Sequence, residues 1–96
     1  MQQVRLISDK NHHIRAIVEG ALENELRLIE AGIQKTCNRL RNFEDAHHLS
    51  TEQFLDQYEN DRLEGSMKHM EWVGEARMLE RLLEKIDILK SIRIEN

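Results

Sequence analysis

Five histidines, one cysteine and a Glu-x-x-His pair are the residues of this 96-residue chain best suited to hold a metal or attack a substrate. The histidines are His12, His13, His47, His48 and His69. Glu44 precedes His47 at the spacing by which di-iron bundles direct two ligands inward from one helix. In an antiparallel hairpin, His47 or His48 would approach His69, with Glu44 or Glu71 nearby, and a dimer would supply two copies. The rest of such a site is missing, because the inward positions of both long helical patterns are Leu and Ile rather than carboxylates. The Glu44/His47 pair also falls where the first helix is ending, and a histidine there suits the helix dipole. No metal ligand and no cofactor is assigned; a metal-binding helical bundle stands as an alternative.

Covalent chemistry is less well provided for. Cys37 has no helix N-terminus or basic pocket to activate it as a nucleophile, and its helical setting suits a small buried hydrophobe. Ser50 and Ser66 are placed as helix caps. The four glycines are scattered singly, so no phosphate-binding loop exists. No catalytic residue is assigned, and the chain is not expected to be an enzyme.

The elements that must position these side chains are helices. Leu49-Ser50-Thr51-Glu52-Gln53-Phe54 fixes one helix start. Ser50 is an N-cap, Gln53 can return a bond to its backbone, and Leu49 and Phe54 have the spacing of a hydrophobic staple. A short helix over 51–60 therefore separates two long ones, at 8–46 and 66–93. Ser8 and Asp9 can cap the first and Ser66 the last, while residues 1–7 suit either a short strand or an unformed arm. In the first helix Ile14, Val18, Leu22, Leu26, Ile29, Ile33, Thr36, Leu40 and Phe43 recur at a mean step of about 3.6, one face of a nearly straight rod. Gly32 lies at the edge of that stripe, where a missing side chain can admit a neighbouring helix; Gly20 could instead mark a break.

In the last helix Trp72, Ala76, Leu79, Leu83 and Ile86 form the central stripe. Leu82, Leu89, Met78, Ile88 and Ile92 widen it, leaving Arg77, Glu80, Glu84, Asp87 and Ser91 as the polar sector. So wide an apolar arc exceeds what one partner helix can cover. The expected fold is all-α: one domain over 1–96, a long helical hairpin with a short intervening helix, dimerising into a helical bundle. Its core and dimer residues are Leu22, Leu26, Ile29, Ile33, Leu40, Phe43, Phe54, Tyr58, Trp72, Leu79, Leu82, Leu83, Ile86 and Leu89. Trp72 is expected to anchor the core over Phe54 and Tyr58, its indole N–H reaching a carbonyl or carboxylate.

Net charge is −4, which argues against affinity for nucleic acid. Residues 44–66 alone hold seven acidic groups against one basic. That segment suits either a solvated connection or a face for a basic partner. A DNA-binding reading would take a strand at 3–7, with Arg5, and two helices parted at Gly20, but the periodic run there offers no second cap. No run approaches the ~20 apolar residues of a membrane span, and no secretory signal is seen, so a cytoplasmic setting is expected.

One resemblance covers roughly residues 22–92. Leu49-Ser50-Thr51-Glu52-Gln53-Phe54, Tyr58-Glu59, Gly65, Glu71-Trp72 and the helix of Leu79, Leu82, Leu83, Ile86 and Leu89 are similar to a group of small all-helical prokaryotic proteins. These are commonly regarded as antitoxins or partners of adjacent small toxins. The chain departs from their pattern between Asn60 and Ser66, which lacks a Gly close after Tyr58-Glu59 and an Asp-rich run. The resemblance implies a protein-binding function, with Glu52, Asp56, Glu59, Asp61 and Glu64 covering a basic groove on the partner in place of RNA. A structural coiled-coil protein is the other alternative.

Overall fold

The computed structural model describes residues 3–5, 7, 14–60 and 66–95, and the chain is all-α. Its elements are β1 (Gln3–Arg5), α1 (Ile14–His47), α2 (Thr51–Glu59), α3 (Met67–Lys90) and β2 (Arg93–Glu95). α1 and α3 form the antiparallel hairpin and α2 closes one end. Ser8, Asp9, His12, His13, Asp61, Glu64 and Gly65 lie outside the described residues.

α1 is continuous over 34 residues, so Gly20 marks no break and the two-helix DNA-binding arrangement is not formed. All nine positions of the expected stripe are covered: Ile29, Thr36 and Leu40 are buried, and the other six are half-buried. Gly32 meets the last helix as its place predicts, for a Cβ there would lie 3.5 Å from Leu82 Cδ1. The helix ends through His48 in the left-handed region, at φ 55°. Leu49 N–H then reaches back to the Glu44 carbonyl at 3.3 Å, the closure usually built on glycine.

α2 begins as its sequence dictates. Ser50 Oγ accepts from Gln53 N–H, and Ser50 N–H donates to Gln53 Oε1, each at 3.1 Å. α3 is capped by Ser66, whose Oγ accepts from His69 N–H at 3.1 Å. Its other end departs from expectation, because the helix stops at Lys90 and does not run on to residue 93. Ser91 donates its hydroxyl to the Ile88 carbonyl at 2.6 Å and tightens the last turn. Beyond it, Ile92-Arg93-Ile94-Glu95 alternates apolar and polar, and β2 pairs in parallel with β1, Val4 opposite Ile94.

The core is concentrated at the α2 end. Leu40, Phe54, Trp72 and Ala76 are buried together, with Phe43, Leu49, Leu55, Tyr58, Val73 and Leu79 packed around them. Along the rest of the hairpin, Leu22, Leu26, Ile33, Leu82, Ile86 and Leu89 are only half-buried, and Leu83, central to the expected stripe, is 48% exposed. The molecule measures 58 × 21 × 18 Å. Its radius of gyration is 18.9 Å, against about 12.5 Å for a globular domain of this length. Among the described residues no helix is long and apolar enough to cross a membrane.

Candidate functional site

The α2 end brings together His47, His69 and Glu44 beside the buried aromatic core. Trp72 and Phe54 are both fully buried, their rings parallel with centroids 3.9 Å apart. Phe43 lies nearly parallel to the same indole at 5.6 Å, and Tyr58 adds its ring to Phe54 at 5.7 Å. One aromatic cluster thereby joins all three helices. The indole N–H donates to Thr51 Oγ1 at 3.0 Å, so the partner is a hydroxyl and not the expected carbonyl or carboxylate. Thr51 also donates its backbone N–H to Glu44 Oε2 at 2.7 Å. The carboxylate thus sits at the positive end of α2, a stabilising position for an anion.

That bond decides the fate of the Glu-x-x-His pair. Glu44 is committed to α2, while His47 turns to the Phe43 carbonyl, with Nδ1 at 3.0 Å. A carbonyl only accepts, so Nδ1 carries the proton. The fold does bring His47 to His69, with ring centroids 5.8 Å apart, but both rings lie against aromatic neighbours, Trp72 and Phe54 respectively. His48 is exposed, in the turn after α1. Among the described residues no group of three or more His, Cys, Asp or Glu is placed to hold a metal ion. Cys37 is half-buried and lies on the wall of a groove.

The outer face of α2 is acidic. Glu52, Asp56 and Glu59 recur at steps of four and three, so they share a stripe opposite Phe54, and all are exposed. Burial of Phe54 turns the stripe outward. Sequence reasoning missed a fourth member, Glu80 of α3, which borders the same hollow as Glu52, Asp56 and Glu59. Its only sequence signal was membership of the α3 polar sector. Arg77 lies among them, 3.6 Å from both Glu59 and Glu80. These contacts are largely solvated and worth little, so the hollow retains an excess of negative charge.

A second hollow opens beside His47, lined by Arg39, Phe43, Lys68, Glu71 and Glu75. It mixes both signs of charge. Arg39 pairs with Glu75 Oε1 at 3.3 Å, and Glu75 Oε2 is buried with no hydrogen-bond partner among the described residues.

No protein-family model, curated protein or solved structure matches the chain.

Proposed function

We propose that this chain is a non-enzymatic, homodimeric protein-binding module of antitoxin type, presenting the acidic stripe of α2 to a basic protein partner. The observation that carries the reading is the placement of Glu52, Asp56 and Glu59, joined by Glu80, on one exposed face over a buried aromatic core. A fixed platform limits the ordering cost of binding, and concentrated charge of one sign speeds encounter with a basic surface. The family resemblance of the segment from Leu49 to Leu89 supports the same reading.

Dimerisation is supported by surface area. The chain exposes 7547 Å², about 1,800 Å² more than a globular monomer of its mass would. An obligate homodimer conceals about 1,000–2,500 Å² per subunit.

The test is co-expression with the product of the adjacent gene, followed by co-purification of the untagged proteins. A stable complex and rescued growth are expected. The triple substitution Glu52→Lys, Asp56→Lys and Glu59→Lys is expected to weaken that complex at least about tenfold, and the wild-type complex to weaken with added salt. Failure both to co-purify and to rescue growth removes the reading. The elongated shape favours a second one, a structural helical rod, which predicts stability and self-association without any partner gene.

A further inference from the structure

The two edges of the α1/α3 seam differ in kind. Along one, charge spans the gap: Arg39 meets Glu75 at 3.3 Å and Glu25 meets Lys85 at 3.2 Å. Glu25, Leu28 and Arg39 are spaced at close to whole helical turns and so share this edge of α1. The other edge carries a groove lined by Cys37, Leu40, Ala76 and Leu79 together with the charged Arg41, Glu52 and Glu80. Helical spacing places Leu26 and Ile33 on the Cys37 side of α1, and Leu83 on the Ala76 side of α3. A separate hollow nearer the strands is lined by Leu22, Leu26 and Leu89 together with the charged Arg15, Glu23 and Lys90. Among the described residues, no ion pair joins the two long helices along this edge.

We infer that a second copy of this chain lies along this second edge, with Ile33 and Leu83 at the centre of the contact. The inference rests on the homodimer proposed above and names the surface that makes it. Two observations select a second copy as the occupant. The excess exposed area matches what one subunit conceals in an obligate homodimer. Both hollows, with Ile33 and Leu83 between them, lie on the same edge of a long, narrow hairpin, so that edge on two subunits can pack face to face and close as a four-helix bundle. Leu28 on the charged edge is more exposed but lies outside the α1 stripe, so the choice of edge rests on Leu83. It stands in the centre of the α3 stripe, yet is 48% exposed within one chain. Cys37, half-buried in one chain, is shielded when the second hairpin covers the groove.

The experiment compares the full-length wild type with Leu83→Glu and Leu28→Glu by light scattering, and follows Cys37 with a thiol reagent. Leu28 is 61% exposed, so both substitutions start from solvated positions in the single chain. The wild type and Leu28→Glu are expected at twice the chain mass and Leu83→Glu at the single mass. Cys37 is expected to react at least about tenfold more slowly in the wild type than in Leu83→Glu. Should Leu83→Glu lose its helicity, dilution of the wild type replaces it: the Cys37 rate must rise as the dimer dissociates, and a rate independent of concentration overturns the assignment. A dimeric Leu83→Glu beside a monomeric Leu28→Glu moves the interface to the other edge and leaves dimerisation intact. A wild type that is folded and monomeric at every concentration removes both.

Discussion

His48 carries a backbone conformation that L-residues adopt at a cost. Its φ of 55° places it where the end of α1 calls for glycine, and its exposed side chain gives nothing up on removal. His48→Gly is expected to raise stability by about 0.5–1 kcal/mol, read as a later urea midpoint at unchanged slope. Thr51 works in the opposite sense. Thr51→Val keeps the shape but leaves the Trp72 indole N–H without its acceptor, so a loss of about 1–3 kcal/mol is expected. Thr51→Ser, which keeps the hydroxyl, should recover most of it. A valine variant as stable as the wild type would mean that this bond contributes nothing to holding α2 on α3.

At the scale of elements, the helix signals decide local structure and the docking of helices decides what those signals serve. The capping box at Ser50 forms as a local motif should, because its donors and acceptors lie within four residues. The carboxylate of Glu44 was equally visible, but its bond to Thr51 depends on how the chain turns at His48. That turn moves it from a candidate ligand to a helix-capping anion. Gly20 illustrates a permissive position, for a Cβ added there has no neighbour within 4 Å. Gly20→Ala is expected to stabilise α1 by about 1 kcal/mol, measured by thermal or urea unfolding. A destabilised alanine variant would show that the helix needs glycine there, as a hinge or a close contact would. β2 is an element that helical periodicity concealed: Ile88 and Ile92 continue the four-residue step, and only pairing with β1 at the far end of the chain resolves Arg93–Glu95 as a strand.

For the whole molecule, shape and stability are one problem. Among the described residues five apolar side chains are buried: Ile29, Leu40, Phe54, Trp72 and Ala76. Four of them belong to the cluster at the α2 end, so the remaining length of the hairpin is weakly held in a single chain. If a second subunit supplies the missing burial, folding and association are linked by mass action. The unfolding midpoint of the wild type is then expected to rise by several degrees for each tenfold increase in protein concentration, as calorimetry across a dilution series would show. A midpoint independent of concentration would show that one hairpin is sufficient.

The amino-acid sequence by itself determined the three helices, the caps at Ser50 and Ser66 and the buried face of α1, because these follow from interactions within about one helical turn and from the period of the apolar residues. Ser50, Gln53 and the stripe from Ile14 to Phe43 are of this kind. It also placed the acid of α2 on one face, since Glu52, Asp56 and Glu59 share a stripe of the same helix. Only the tertiary structure decided that Thr51 would receive the Trp72 indole, that Glu80 would join the acidic face, and that Leu83 would remain open to solvent. Those outcomes depend on the crossing and depth of packed helices, which pair residues far apart along the chain and leave no periodic trace within it.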